Sequence, residues 1–169
     1  GELHEIGGGA LVADINVLRG ARTAKQVLGL PAYDEKLHAV ADNGAHLWAF
    51  QTEGRVYSSP LPDGDDVYFG CDDGKLYKVD ADSGILLWEV PTGGAIRGAP
   101  AMAEGRVFVP SWDGLLYAVA AETGREAWRA PIAKYTRGSP AVAGGRVYLG
   151  DEAGVGRCFQ ADSGKPLWQ

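Results

Sequence analysis

The sequence predicts an all-β chain assembled from repeated four-stranded antiparallel units, and three observations lead there. Glycine is in excess at 25 of 169 residues, about twice the usual ~7% share, in a chain otherwise rich in Val, Ala, Tyr and Trp. Short strands joined by many tight turns have that composition. The second observation is a period. Trp48, Trp88, Trp128 and Trp168 stand 40 residues apart, as do Gly44, Gly84, Gly124 and Gly164, each four residues before its Trp. Pro60, Pro100 and Pro140 keep the register, and so do Val67, Val107 and Val147. Third, no stretch from 50 to 169 carries apolar residues at helical spacing over the ~10–12 residues a helix needs before a glycine interrupts. Self-similarity at a fixed period outranks local propensity.

In the first unit, Leu37-His38-Ala39-Val40 matches Leu76-Tyr77-Lys78-Val79 of the second and supplies its third strand. Val27-Leu28-Gly29 is a candidate for the second strand. Residues 14–26 (DINVLRGARTAKQ) lack the Pro and the turn pattern, so the first strand is either decayed or replaced there. The third unit is the most regular. It runs Ala99 to Ala103, a Glu104-Gly105 turn, Arg106 to Val109, a Trp112-Asp113-Gly114 turn, Leu115 to Val119, a Glu122-Thr123-Gly124 turn, and Arg125 to Arg129. Each segment is bounded by glycine turns too short for anything but antiparallel neighbours. The innermost strand is largely Ala, small enough for crowding around an axis. Four strands in ~40 residues is the size of a propeller blade. Residues 1–169 therefore read as one β-propeller or propeller segment of about four blades, ending near Trp48, Trp88, Trp128 and Trp168, with 1–36 a divergent first blade.

The segment closing each blade reads VADNGAHLW at 40–48, VDADSGILLW at 79–88, VAAETGREAW at 119–128 and FQADSGKPLW at 159–168. It resembles the tryptophan-docking motif of the pyrroloquinoline-quinone-type (PQQ-like, quinoprotein-type) β-propeller repeat family over residues 37–169. That motif occurs in quinoprotein alcohol dehydrogenases and in cofactor-free propellers like them. WD-repeat propellers share the period, but here Trp112-Asp113 appears once and in a different turn. In the motif, Asp82, Glu122 and Asp162, with Ser83, Thr123 and Ser163, are expected to bond turn N–H groups while the glycine takes φ > 0. The resemblance implies that each Trp packs its ring on a neighbouring blade, which makes these residues structural.

Net charge is −6, which excludes a phosphate-backbone partner: no nucleic acid is expected. No apolar run approaches the ~18 residues of a membrane span. The resemblance implies that a dehydrogenase would need a vicinal disulfide, a calcium cage and a catalytic Asp. Cys71 and Cys158 are not adjacent and fall two blades apart, too far for a disulfide, so both read as buried small residues. His4, His38 and His46 lack zinc-ligand spacing and read as strand-surface residues. No catalytic, cofactor or metal residue is assigned. PQQ and calcium enter only if missing blades supply the site.

What remains is the loop face. Arg97 and Arg137 share one register in the segments between blades, with Lys134 and Tyr135 beside Arg137. The turns between second and third strands carry Asp72, Asp73, Trp112, Asp113, Asp151 and Glu152. If both open on one rim, Arg and carboxylate groups alternate around it. Interblade ion pairs and solvated turns are one account of them. The other is a partner or ligand surface formed by Arg97, Arg137, Trp112 and Tyr135, the aromatics its anchors.

Family rings have seven or eight blades, as the resemblance implies, so a piece of a longer propeller is expected. An eight-bladed ring from two chains and a four-bladed closure are the alternatives, self-association or missing blades closing the ring. The function expected is a non-catalytic protein-interaction scaffold or ligand-sensing module, resembling outer-membrane protein assembly lipoprotein propellers and kinase-attached sensor propellers. Its partner is a protein or small ligand on the loop face. The alternatives are a fragment of a PQQ-dependent dehydrogenase whose catalytic residues lie outside this chain, and a degenerate propeller binding a small molecule in its channel. A periplasmic or other extracytoplasmic location follows from the resemblance alone.

Overall fold

The computed structural model describes residues 16–18, 27–31, 34–41 and 43–169, and its strands fall into four sheets of four. The first holds β1 (Asn16–Leu18), β2 (Val27–Pro31), β3 (Lys36–Ala41) and β4 (His46–Gln51). The second holds β5 (Leu61–Asp63), β6 (Asp66–Gly70), β7 (Lys75–Asp80) and β8 (Leu86–Pro91). The third holds β9 (Ala101–Ala103), β10 (Arg106–Ser111), β11 (Leu115–Ala120) and β12 (Glu126–Pro131). The fourth holds β13 (Ala141–Ala143), β14 (Arg146–Gly150), β15 (Gly156–Gln160) and β16 (Pro166–Trp168). Every sheet is an antiparallel meander in chain order, and no helix occurs among the described residues. The inner strands converge: β1 lies beside β5, and β9 beside β13. Within 14–26, residues 16–18 pair with β2. Outside β1 and β2, residues 1–33, His4 among them, are not among the described residues.

The blades stack face to face, so the middle strands are buried on both faces and read as nearly continuous apolar runs. Val67, Phe69, Tyr77 and Val79 pack with Leu37, Ala39 and Trp48 of the first sheet. Tyr68 and Leu76, on the opposite face, pack with Val107, Val109, Tyr117 and Val119 of the third. A third layer joins Phe108, Leu116 and Trp128 to Val147, Leu149 and Phe159. Outer strands alternate in exposure because their second face meets solvent. Cys71, just past the end of β6, and Cys158, in β15, are free and buried. Burial pushes the Cys71 thiol up to about 11.

The blade-closing motif is a joint between sheets. Trp48 Nε1 donates to the carbonyl of Ala81 at 3.0 Å, Trp88 to Ala121 at 3.1 Å and Trp128 to Ala161 at 2.9 Å. Each Trp adjoins a β-bulge in its own outer strand, where Leu47, Leu87 or Ala127 is the extra residue as the pairing passes from Ala39 to Val40, Lys78 to Val79, or Ala118 to Val119. The added local twist of a bulge carries the ring out of its own sheet toward the next. There it lies on the turn glycine: a Cβ on Gly84 would stand 2.6 Å from the Trp48 ring, one on Gly124 3.0 Å from Trp88, and one on Gly164 2.5 Å from Trp128. These glycines also have φ near +70°, so two separate requirements select the same residue. Gly44 keeps the positive φ, yet a Cβ there would meet nothing within 4 Å.

One expectation about the turn needs correction. The carboxylate that organises the second blade's turn is Asp80, whose Oδ1 accepts from the Ser83 amide at 2.8 Å and its hydroxyl at 2.6 Å. Asp82, Glu122 and Asp162 are exposed. Asp80 ends β7, where its side chain can reach forward over the turn, while Asp82 is at the tip and faces water. The hydroxyl part of the expectation is met in two blades, where Ser83 Oγ and Thr123 Oγ1 accept from the Ile85 and Arg125 amides at 3.3 and 3.4 Å, while Ser163 Oγ instead donates to Gln160 Oε1 at 3.1 Å.

Candidate functional site

Both loop types predicted to share a rim do so, because the segment entering each blade is bonded to the turn between second and third strands. The Asp72 amide donates to Arg55 O at 3.0 Å and the Trp112 amide to Ala95 O at 2.9 Å. Asp73 Oδ2 accepts from the Glu53 amide at 3.2 Å and the Tyr77 hydroxyl at 2.7 Å; Asp113 Oδ2 does the same for Gly93 at 2.9 Å and Tyr117 at 2.7 Å. Burial, then the adjacent carboxylates, hold both phenols above their ordinary value. In the fourth blade Arg157 replaces the Tyr. Asp151 takes over the carboxylate role, accepting from Arg157 Nε at 2.6 Å and the Ala133 amide at 3.3 Å. Burial pushes the Asp151 carboxyl up, but Arg157 and the amides of Val155 and Ala153 outweigh it, and the group lies below its ordinary value. Asp73, Asp113 and Asp151 therefore tie the loops down, and the expected alternation of Arg and carboxylate around the rim reduces to fewer members.

The four residues singled out from the sequence meet in one cluster. Arg97 forks onto Asp72, Nε to Oδ1 at 2.7 Å and Nη2 to Oδ2 at 2.8 Å. Its guanidinium carbon lies 4.4 Å from the Tyr57 ring centroid and 4.1 Å from that of Trp112. A delocalised, weakly hydrated cation is suited to this stacking, and lysine is not. The Arg137 guanidinium carbon stands 5.5 Å from Trp112, and Tyr135 meets the same indole edge-on at 5.5 Å. Trp112 Nε1 is a buried donor with no acceptor. Tyr57 was missed, although its place 40 residues before Arg97 was a readable signal. For Arg97 the ion-pair account holds. Arg137 and Tyr135 are exposed, with Tyr135 at 61%.

The segment bearing Tyr135 departs from its equivalents for a steric reason. A Cβ on Gly54 or Gly94 would stand 2.6 Å from the amide nitrogen of Asp73 or Asp113. Lys134 occupies that register and has a Cβ, so this loop cannot lie equally close to its own turn. Instead the Tyr135 amide reaches Trp112 O at 3.5 Å, Thr136 Oγ1 donates to Ala133 O at 2.7 Å, and Tyr135 adopts φ +62°. The substitution thus turns an aromatic side chain outward beside Trp112.

A separate hollow of about 270 Å³ lies against β16, lined by Pro131, Arg157, Phe159, Leu167 and Trp168. Trp168 keeps the joint's register but is 52% exposed. Elsewhere among the described residues, Cys71 and Cys158 are free and far from vicinal, and no three His, Cys, Asp or Glu side chains are grouped as metal ligands. No helix among the described residues is long and apolar enough to cross a membrane.

Comparison with known proteins agrees with the four-stranded blade architecture. A family model described as outer membrane protein assembly factor BamB matches residues 18–97 and 73–169. The crystal structure of BamB from Moraxella catarrhalis superposes with a TM-score of 0.73 at 22% identity, covering 85% of this chain and 44% of that one. The computationally designed Ika8 protein superposes with a TM-score of 0.74 at 18% identity, covering 87% of this chain and 46% of the other. The chain spans less than half the length of either, and at these identities the likeness is one of fold. No curated protein sequence matches the chain.

Proposed function

The chain belongs to the family of the outer membrane protein assembly factor BamB, and on that premise we propose that it is a cofactor-free, non-catalytic interaction scaffold with its partner surface at the Trp112 rim. The observation that carries this reading is the Tyr57–Arg97–Trp112–Arg137 stack with Tyr135 exposed at its end. Clustered Trp, Tyr and Arg form the centres of protein interfaces because they bring large contact area at low entropic cost. Arg97 is already neutralised by Asp72 and sandwiched, so it acts as a rigid base. Arg137 and Tyr135 are the contact groups. A dehydrogenase fragment and a channel-binding degenerate propeller share the fold; the exposed aromatic and arginine cluster on the rim is what favours the scaffold reading. By analogy with the matched family, the partner is a protein component of outer-membrane protein assembly.

A photoreactive group at Tyr135 in the producing cell tests the reading. The expected result is a discrete protein adduct, lost in Trp112→Ala and Arg137→Glu, together with reduced outer-membrane protein levels in those variants. Folded variants that retain the adduct and normal levels would overturn it.

A further inference from the structure

We propose that His38 and His46 form a two-nitrogen site for a divalent transition-metal ion of the zinc or copper class, with Asp34 as the orienting carboxylate. The two histidines are eight residues apart, a spacing that by itself suggests no ligand pair. The hairpin changes that. His46 pairs across the ladder with Val40, two residues from His38, which sets both imidazoles on one face of the first sheet. There His38 Nδ1 and His46 Nε2 face each other at 3.4 Å, with the rings inclined at 69°.

At that separation the two rings share a weak hydrogen bond in the metal-free chain, which a bound ion would replace. The separation matches two ligands of one ion: nitrogens held at ~2.0–2.1 Å in a tetrahedral shell lie about 3.3–3.4 Å apart. The far nitrogen supplies the second argument. His38 Nε2 contacts Asp34 Oδ2 at 2.8 Å, so in the neutral ring Nε2 carries the proton and Nδ1 presents its lone pair toward His46. Metal-bound histidines are commonly oriented this way by a carboxylate on the opposite nitrogen. The His38 side chain is only 12% exposed, while Asp34 is 43% exposed, so His38 is held and His46, on the exposed side, is free to adjust. Among the described residues no third His, Cys, Asp or Glu completes the shell. Its other positions fall to water or to a group brought from outside, and imidazole ligands with open positions suit zinc and copper better than calcium or magnesium. The site is in the first blade and does not depend on the loop-rim reading.

Calorimetric titration of the chain with zinc chloride, in a buffer that does not bind metal, tests the proposal. The expected result is one ion per chain, an affinity at least tenfold weaker in His38→Ala and in His46→Ala, and a loss of about 10–100-fold in Asp34→Asn. Copper(II) added to the unaltered chain should show an electron paramagnetic resonance spectrum with two coupled nitrogens, a readout that does not depend on the variants folding. Absence of zinc binding at millimolar concentration, unchanged affinity in the folded His38→Ala/His46→Ala variant, or a spectrum with no coupled nitrogen would each overturn it.

Discussion

Replacing Gly84 by alanine should destabilise the protein by more than its backbone conformation explains, and the structure separates the two contributions. Gly84 and Gly105 both have φ of +70°, in adjacent interior sheets. An L-residue held there costs about 1–2 kcal/mol. For Gly105 nothing lies within 4 Å of the added Cβ, so that figure is the whole expectation. For Gly84 the new carbon would stand 2.6 Å from Cδ2 and Cε3 of Trp48. The ring cannot retreat without lengthening its 3.0 Å bond to Ala81, and overpacking of a filled site adds about 1–3 kcal/mol. Urea unfolding followed by far-ultraviolet circular dichroism should therefore place Gly84→Ala about 1–3 kcal/mol below Gly105→Ala, by the same reasoning. In a Trp48→Leu background the excess should vanish, because the ring it opposes is gone. Equal losses for the two alanine variants, or an excess that survives removal of Trp48, would refute the idea that the glycine is selected by the neighbouring blade's tryptophan.

Three further outcomes follow from the same contacts. Trp128→Phe leaves the buried Ala161 carbonyl without its 2.9 Å donor and should cost about 1–3 kcal/mol, whereas Trp168→Phe, half-exposed, should stay within about 0.5 kcal/mol in the same denaturation assay. Asp151 has its carboxyl held low in the folded chain. The stability this contributes is present above the unfolded carboxyl value of ~3.9 and is lost as pH falls through the lower folded value, so Asp151→Asn should flatten acid unfolding below about pH 4. Cys71, buried and raised to about 11, should be about 0.1% thiolate at pH 8; Ellman's reagent should leave it untouched in native protein and titrate it once the chain is unfolded.

The fold was legible because its rule is periodic and local in the chain: each turn glycine and its tryptophan sit four residues apart. The reason those glycines are invariant from blade to blade was not legible, since the ring that excludes a Cβ from Gly84 belongs to Trp48, 36 positions earlier. At the rim, register alone brought Arg97 and Arg137 into view, and Tyr57 stood in the same register. Which arginine is saturated and which faces outward depends on a fork to Asp72 and on the Cβ of Lys134, and both are matters of side-chain placement. The hydroxyl side of the blade-closing turn followed from residue type in two blades, but the carboxylate was misassigned to Asp82 because strand and tip positions look alike until Asp80 is seen to end β7. His38 and His46 were unremarkable in the sequence, since only cross-strand pairing brings them together.

The joint between blades carries a plug and a socket in the same repeat. Gly84 receives the preceding blade's tryptophan, and four residues later Trp88 enters the following one. A 40-residue unit so built is complete at both ends: duplicating or deleting one whole unit leaves every remaining joint with both its parts. Ring size in this architecture can then change by gene duplication without any compensating substitution at the seams, while insertion or loss of a single residue between socket and plug breaks two seams at once.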